Sequence, residues 1–250
     1  MRQPRVYFDF ETSTMLAEIY QFYEPSVVRL RTYIQIISVS WSWEGEDEIY
    51  HMALPDFPGH KAGLEKINDR NLVKAFRKVI DGAEEVVAHN GNGFDFKVFR
   101  TRLLKHGLDP MHNVKEIDTK RWAKKFYFAN NKQDNISKEL GTPEKIEHSK
   151  GMHYRCYELN DPEAWAENKE YNNRDVEGLK ANAKKLAPYI PVTTASKKII
   201  CRNELCRSLN LKRDKYWEVA NGWRIQFVCK ACGRYTTGSE VYPEKPFISR

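Results

Sequence analysis

The 250-residue sequence lacks any run that approaches the roughly 18 uncharged apolar residues needed to cross a bilayer. This absence argues against a membrane protein, and no membrane partner is expected. An apolar signal region is missing as well, because the chain starts with Met-Arg-Gln-Pro-Arg and continues directly into Val6-Tyr7-Phe8. Hydrophobic residues make up 41% and charged residues 30% of the chain, as is usual for soluble globular proteins. We therefore expect an intracellular protein, either cytoplasmic or associated with the nucleoid.

Cysteine is scarce: outside the last 50 residues only Cys156 occurs, and we assign no role to that thiol. The other four cysteines form two close pairs, Cys201 with Cys206 and Cys229 with Cys232, and a glycine follows the second pair. This pattern is typical of a structural tetrahedral Zn²⁺ site. Two disulfides are the alternative, but nothing marks the chain as exported. We predict that one Zn²⁺ holds this segment together, because the segment is too short for apolar burial alone.

Positive charge is concentrated at the C-terminus. Residues 191–250 contain 12 Lys and Arg against 5 Asp and Glu, which equals the whole net charge of +7. A basic module beside a neutral domain predicts that the module provides an additional binding surface for a polyanion. The alternative is that its charge only keeps the protein soluble. The module has the strand pattern of a zinc ribbon, and four of its side chains are suited to stack on bases and bind phosphates: Tyr216, Trp217, Trp223 and Arg224. A zinc-stapled scaffold or a protein-docking module is the equal alternative.

Residues 1–190 have the pattern of an α/β domain, and residues 191–250 are expected to form a separate unit. Strands are predicted at 34–43, 49–52 and 86–88. Helices are predicted at 72–82, 94–106, 136–140 and 161–186. The second helix is expected to place Phe96, Phe99, Leu103 and Leu104 on one side, and Asp161 is expected to cap the last. A linker is predicted at Pro188, Pro191, Thr193 and Thr194.

The segment Val6-Tyr-Phe-Asp-Phe-Glu11 has the pattern of a strand that carries two acids on one face. Residues two apart share a face of a strand, so Asp9 and Glu11 project together while Phe8 and Phe10 point to the other side. Close, buried carboxylates repel one another unless a positive charge lies between them. Hard oxygen ligands favour Mg²⁺ or Mn²⁺ as that charge. Taken alone, however, the Asp-x-Glu pattern is common.

Two further motifs carry acids at separate places in the chain. In Asn90-Gly-Asn-Gly-Phe-Asp95, a glycine-rich turn leads into a helix whose first turn carries Asp95, and a simple helix cap is the alternative. In Tyr171-Asn-Asn-Arg-Asp175, the tyrosine and the aspartate lie four residues apart on one helix face, as also happens in ordinary amphipathic helices.

Together the three motifs resemble those of the DEDD (DnaQ-like) 3′–5′ exonucleases, in the subtype with tyrosine in the third motif (DEDDy). The chain is similar to the proofreading domains of family B DNA polymerases over about residues 4 to 187. Phe8-Asp-Phe-Glu-Thr12 resembles the first motif, and the two segments above resemble the second and third. Residues 117–119 and 136–141 are similar to connecting segments of that group, whereas the zinc ribbon lies outside the family pattern.

The resemblance implies an RNase H-like mixed sheet with Asp9 and Glu11 on a central strand. It implies that Asp9 bridges two Mg²⁺ or Mn²⁺ ions, that Glu11 and Asp175 complete the first ion's site, and that Asp95 holds the second. Tyr171 would position the attacking water. Two divalent ions roughly 3.5–4 Å apart can activate a water and stabilise a leaving oxygen.

The resemblance also implies contacts to the 3′ end of the substrate, which are assigned to Thr12, Asn90, Asn92 and Phe94. Phe94 has a core position as its alternative. His89 is expected to be a structural neighbour, and His148 and His153 receive no role.

These motifs predict a 3′–5′ exonuclease that hydrolyses the ends of single-stranded DNA. An exoribonuclease and a non-catalytic nucleic-acid-binding protein with the same fold are the alternatives. With no polymerase region in 250 residues, the protein is expected to act alone or beside a polymerase or another replication or repair protein.

Overall fold

The computed structural model describes residues 5–23, 26–112, 114–190, 199–238, 241–242 and 244–245. The strands are β1 (Arg5–Thr12), β2 (Leu16–Ile19), β3 (Val27–Thr32), β4 (Ile36–Trp43), β5 (Tyr50–Ala53), β6 (Glu85–Ala88), β7 (Lys115–Asp118), β8 (Leu211–Val219), β9 (Gly222–Cys229) and β10 (Tyr235–Thr237). The α-helices are α1 (Arg70–Asp81), α2 (Asp95–Lys105), α3 (Thr119–Ala123), α4 (Gln133–Leu140), α5 (Met152–Tyr154) and α6 (Pro162–Leu186). A π-helical turn, Arg155–Leu159, continues α5.

The first compact unit, which extends to Asn182, is built on a five-stranded mixed sheet. Its strand order is β5-β4-β1-β6-β7, in which β1 pairs antiparallel with β4 and parallel with β6. Of the other two neighbouring strand pairs, β4 and β5 are antiparallel, whereas β6 and β7 are parallel. Helices flank this sheet, so the predicted α/β class is confirmed.

One face of the central strand β1 belongs to the hydrophobic core. Phe8 and Phe10 are buried, and the ring centroid of Phe76 on α1 lies 5.2 Å from each of theirs. Phe96 and Phe99 from α2 pack against the same pair, with centroids 5.8 Å from Phe8 and 5.6 Å from Phe10 respectively. Fully burying each ring contributes on the order of 2 kcal/mol, so this cluster anchors both helices to the sheet.

The opposite face of the sheet is polar because serines alternate along β4. Ser38 lies opposite Glu11 in the register and Ser40 lies opposite Asp9, so these four side chains share a face. Ser38 Oγ donates a hydrogen bond of 2.7 Å to Asn168 Oδ1 of α6. Because serine side chains are short, α6 can approach this face closely and bring its own polar residues to Asp9 and Glu11.

The long elements agree with their sequence predictions. Helix α6 is capped by Asp161, whose Oδ1 accepts from the Glu163 amide at 2.9 Å, and α4 ends at Gly141 in the left-handed conformation. The prediction for α2 was wrong in one place, because Leu104 is 81% exposed. Phe96, Phe99 and Leu103 fill the face toward the core, so the fourth apolar side chain is left on the solvent side.

A two-stranded sheet of β2 and β3 was not anticipated. It forms a hairpin between β1 and β4, and most of its residues are exposed.

The second unit begins at Ala183 and contains the antiparallel sheet β10-β9-β8. Strands β8 and β9 pair antiparallel, within the segment for which a strand pattern was predicted. The contact boundary falls inside α6, so the division into residues 1–190 and 191–250 stays a prediction. Of the predicted linker, Pro188 lies in a 3₁₀ turn, whereas Pro191, Thr193 and Thr194 lie outside the described residues. Among the helices that the structure describes, none combines the length and the apolarity required to cross a bilayer.

Candidate active site

Three acids from distant parts of the chain meet on the polar face of the sheet. Asp9 and Glu11 come from β1 and Asp175 comes from α6, and one carboxylate oxygen of each lies within 4.8 Å of the others. Asp175 is buried, whereas Asp9 and Glu11 are partly accessible. The alternation of β1 places the first two acids on the side away from the phenylalanine core, and the serine face of β4 admits the third.

Asp9 lies at the centre of the negative charge. Burial, followed by the carboxylates of Asp175, Asp95 and Glu11, raises the pKa of Asp9 well above its ordinary value. Asn172 Nδ2 donates a hydrogen bond of 2.9 Å to Asp9 Oδ2, which fixes the orientation of the carboxylate without neutralising it. Asp9 therefore has an orienting partner but needs an additional positive charge to stay ionised.

Asp175 is held by a lysine that the sequence analysis did not single out. Lys145 Nζ donates to Asp175 Oδ2 and lies 3.2 Å from the Tyr171 hydroxyl. Burial raises the pKa of Asp175 to about 6, although Lys145 opposes this rise. The other oxygen, Asp175 Oδ1, is buried and has no hydrogen-bond partner within the part of the chain that the structure describes. Such an atom is costly unless a cation or water binds it.

Asp95 stands beside the group of three. It is the first residue of α2 and only 3% exposed, and the Phe10 amide donates to its carboxylate. Burial, together with the charges of Glu11 and Asp118, raises the pKa of Asp95 to about 7. The structure thus brings Asp95 next to the acids of β1, although its oxygens fall outside the 4.8 Å group.

Two histidines that received no role from the sequence contact the candidate site, His153 through Glu11 and His148 through Tyr171. His153 Nε2 is 2.7 Å from Glu11 Oε2, and the His148 ring stacks edge-on to Tyr171 with centroids 4.8 Å apart. His153 is on α5, which the π-helical turn Arg155–Leu159 follows. Turns of this type are frequent at functional sites.

The turn of the second motif is organised by Asp118. Asp118 Oδ1 accepts from the Asn90 amide at 2.9 Å, and Oδ2 accepts from the Asn92 amide at 3.2 Å. Asn90 has φ 63°, and a Cβ on Gly91 would lie 2.6 Å from the Phe96 ring. Glycine is therefore required at position 91, because the backbone there lies too close to the Phe96 ring for a side chain. A larger residue would displace the turn from α2.

The remaining predicted substrate contacts, Thr12 and Phe94, are not buried. The pairing of β1 with β4 shifts register between Glu11 and Thr12, and such irregularities are frequent next to active sites. Phe94 is 36% exposed directly before Asp95, so it does not occupy the core. His89 has a structural setting, because its ring nitrogens lie 2.9 Å from Thr119 Oγ1 and 3.0 Å from the Asn131 carbonyl.

The second unit holds a cluster of four thiols. One Sγ from each of Cys201, Cys206, Cys229 and Cys232 lies within 4.8 Å of the others, with Sγ–Sγ distances of 3.5 Å (Cys201–Cys232) and 3.7 Å (Cys206–Cys229). All four thiols are free of disulfide bonds in the structure. Sulfurs bound at 2.3 Å to a tetrahedral ion are about 3.8 Å apart. Amides of Ala231 and Cys232 hydrogen-bond to Cys229, and despite burial its pKa is lowered to about 7. The arrangement fits a thiolate-bound metal ion.

The cluster of three carboxylates, from Asp9, Glu11 and Asp175, likewise fits divalent cations. Its donors are hard oxygens, and Asp175 Oδ1 is buried without a hydrogen-bond partner among the described residues. Ionised carboxylates cannot share this space without added positive charge. In the structure Lys145 supplies part of that charge.

The sequence profile of the RNase H superfamily matches residues 44–187, more than half of the chain. The chain belongs to the RNase H superfamily. This RNase H-superfamily protein has a fold similar to that of the family B DNA polymerase from the hyperthermophilic archaeon Pyrobaculum calidifontis, with a TM-score of 0.56 and 15% sequence identity. The likeness covers 76% of this chain and 25% of the polymerase, so the protein spans about a quarter of that chain's length. No curated protein matches it significantly. The predicted RNase H-like fold is thereby confirmed.

Proposed function

We propose that this protein is a metal-dependent 3′–5′ exonuclease of the DEDDy type that hydrolyses single-stranded DNA ends. The observation that carries the proposal is the meeting of Asp9, Glu11 and Asp175 within 4.8 Å, with Asp95 beside them, on an RNase H-superfamily fold. The direction of hydrolysis is supported by the resemblance of the three motifs. The likeness to a family B DNA polymerase supports the fold, and a polymerase or another replication or repair protein is proposed as a partner.

Each residue has a role that its position allows. Asp9, Glu11, Asp95 and Asp175 would hold two Mg²⁺ or Mn²⁺ ions, which together supply activation of a water and charge for the leaving oxygen. Tyr171 points its hydroxyl toward this region beside Lys145, so it can orient the water by a hydrogen bond.

The 3′ end would be held by the remaining predicted residues, Thr12, Asn90, Asn92 and Phe94. Thr12 follows Glu11 at the register shift, and Phe94 is exposed enough to contact a base or sugar. The backbone N–H groups of Asn90 and Asn92 donate to the Asp118 carboxylate. The side chains of these two asparagines are therefore the groups that would contact a nucleotide.

The four-cysteine cluster is proposed to bind one structural Zn²⁺ in a zinc ribbon. Its sulfur spacing and hydrogen-bonded thiolate suit this ion, and its basic surface is proposed to contribute affinity for nucleic acid.

The decisive experiment uses the full chain with single-stranded DNA labelled at either the 3′ or the 5′ end, in Mg²⁺, in Mn²⁺ and in chelator. We expect release of single nucleotides from the 3′ end only when a divalent ion is present. Asp9→Ala should abolish hydrolysis, because it removes one of the carboxylates that would hold the ions, while the fold is kept because carboxylate repulsion is relieved.

Asp81→Ala is the matched control, because Asp81 is a surface acid whose carboxylate is 3.6 Å from Arg77 and remote from the cluster in sequence and contacts. It should retain full activity. Hydrolysis by Asp9→Ala in Mg²⁺ would refute the site. An RNA strand of the same sequence distinguishes the exoribonuclease, and binding without hydrolysis by the native protein would identify a non-catalytic relative.

A further inference from the structure

A strongly basic stretch lies in the first compact unit. Residues 119–133, which we call the basic segment, contain no aspartate or glutamate but five cationic side chains: Lys120, Arg121, Lys124, Lys125 and Lys132. Residues 1–190 contain 29 Lys and Arg and 29 Asp and Glu, so the rest of that range has 24 basic residues against 29 acidic ones. The basic segment is therefore a local excess of positive charge in a region whose other residues sum to −5.

The cations of the basic segment are not neutralised by neighbouring acids. Among the described residues, none of the five takes part in an ion pair, and four of them are exposed. The acids that border the segment have other partners: the Asp118 carboxylate accepts from three backbone amides, and Asp134 Oδ2 lies 2.7 Å from Lys138 Nζ. Glu139 Oε1 accepts from the Ala129 amide at 2.9 Å. The segment therefore presents its positive charge to solvent.

The basic segment is fixed beside the candidate site. The two ring nitrogens of His89 lie 2.9 Å from Thr119 Oγ1 and 3.0 Å from the Asn131 carbonyl, so this ring closes the segment into a loop. At the end of the loop, Gln133 Nε2 donates a hydrogen bond of 2.7 Å to the carbonyl of Asp175, one of the clustered acids. His89 itself directly precedes the glycine-rich turn of the second motif. A partner bound to this loop therefore lies next to the residues proposed to perform the chemistry.

The loop has the composition of a surface for single-stranded nucleic acid. Its charge selects a polyanion, because cations without nearby acids attract a phosphate backbone. Tyr127 is fully exposed and lies between Lys125 and Lys132 in the sequence, and an aromatic ring among cations suits stacking on a base. An acidic protein would match the charge as well, but the attachment of the loop to Asp175 favours the strand on which the site is proposed to act.

We propose that the basic segment binds the phosphates of the single strand whose 3′ end enters the candidate site. This inference rests on the proposed function and names the surface that holds the rest of the strand. The acid cluster acts only on the phosphodiester that is cleaved, whereas the basic segment neutralises phosphates further from the 3′ end. Affinity that depends on this segment must therefore fall with salt, because each neutralised phosphate releases counterions.

The test measures binding of a labelled single-stranded DNA of about twenty nucleotides by fluorescence anisotropy at several salt concentrations. The full chain carries Asp9→Ala and is kept in chelator, so that the strand is not hydrolysed. In this parent the four exposed cations are changed together, either to glutamine or with their charge kept by Arg121→Lys, Lys124→Arg, Lys125→Arg and Lys132→Arg. The matched control removes the same charge from four other exposed lysines of the first unit, by Lys61→Gln, Lys66→Gln, Lys74→Gln and Lys78→Gln. Poly-glutamate of similar length is the second probe.

We expect the glutamine variant to reduce the slope of log affinity against log salt by about 2.8, four phosphate contacts at about 0.7 each. Lys124→Gln with Lys125→Gln alone should reduce it by about 1.4. The charge-keeping variant should bind as the parent does, and the control should change the slope by less than about 0.7, the value of one contact. An unchanged slope in the glutamine variant overturns the proposal, as does an equal reduction in the control. Poly-glutamate that binds as tightly as the DNA also overturns it, since the surface would then fit an acidic protein.

Hydrolysis by the native chain is scored separately from binding. An inactive native chain whose salt slope depends on the basic segment refutes the exonuclease alone. An active chain whose glutamine variant keeps the slope of the parent refutes this inference alone. Circular dichroism of each variant checks that the fold is retained, as expected for changes to exposed side chains.

Discussion

The replacement of Asp95 by asparagine should stabilise the metal-free protein although it removes a proposed ligand. Asp95 is buried, and its carboxyl pKa is raised to about 7 from an ordinary value of 3.8 by burial and neighbouring acids. Between these two pH values the folded state retains a proton that the unfolded chain has released. Stability therefore falls as the pH rises through this window.

The size of the effect follows from the shift. About three pKa units at 1.36 kcal/mol each correspond to about 4 kcal/mol of stability that is present below pH 3.8 and lost above pH 7. Asparagine carries no charge at any pH, so Asp95→Asn escapes this loss. At pH 8 in chelator, its Tm should exceed that of the native chain by on the order of 10 °C.

The assay is thermal unfolding followed by circular dichroism from pH 4 to pH 8, with chelator and then with Mg²⁺ or Mn²⁺. The cation should stabilise the native chain at pH 8 and have a smaller effect on Asp95→Asn, since binding to the folded state alone raises stability.

Asp69→Asn is the control with the opposite sign. The Asp69 carboxylate is buried against Arg102, with an Nε–Oδ2 distance of 2.8 Å, and against His106. These contacts, which outweigh burial, hold the pKa of Asp69 below its ordinary value. Its contribution to stability is therefore present above about pH 4 and lost as the pH falls, and its removal should cost about 3–5 kcal/mol. A lower Tm for Asp95→Asn at pH 8 in chelator, or a pH slope equal to that of the native chain, would refute the electrostatic reasoning.

Three further predictions concern Tyr171 of the candidate site and the four-cysteine module. Tyr171→Phe should lower kcat by about a hundredfold or more with little change in KM, because the ring is kept and only the water-orienting hydroxyl is lost; steady-state kinetics on labelled DNA measures both, and an unchanged kcat contradicts the role. Cys229→Ser should abolish bound zinc in elemental analysis and remove hydrogen-exchange protection from β8 and β9, whereas retained zinc would exclude the four-thiol site. Lys212 and Lys215 are exposed on β8 of the basic module, so Lys212→Gln with Lys215→Gln should reduce the slope of log affinity against log salt by about 1.4, two phosphate contacts at about 0.7 each. An equal slope would argue against a nucleic-acid role for the ribbon.

Most long elements could be predicted because their signals are local. Asp161 caps α6 and Gly141 ends α4 in a conformation that favours glycine, and both signals are readable without tertiary context. The β2–β3 hairpin had no such signal. Its residues do not alternate between a buried and an exposed face, since the strands are exposed on both sides, and hydrophobic periodicity reports burial.

The candidate site could be proposed from the sequence only where its residues form motifs. Asp9, Glu11, Asp95 and Asp175 belong to recognisable segments, whereas Lys145 and His153 reach the acids from irregular or short elements. Their positions depend on how the chain between α4 and α6 folds back over the sheet, and no spacing rule encodes that path. A partial signal did exist for α6, because the serines that alternate along β4 indicate a face that a polar helix can approach.

Side chains on the two faces of β1 serve different purposes: one face packs in the core, and the other carries the acids of the candidate site. Phe8 and Phe10 fill the core with α1 and α2, while Asp9 and Glu11 face α6, so neighbouring residues answer to different constraints. The core face gains free energy from burial, and the acid face loses free energy through repulsion. A strand under such repulsion can be held in place only because the opposite face is so thoroughly packed. The phenylalanine cluster therefore stabilises the strand that carries the candidate site, since it offsets the electrostatic cost of concentrating acids where cations are proposed to bind.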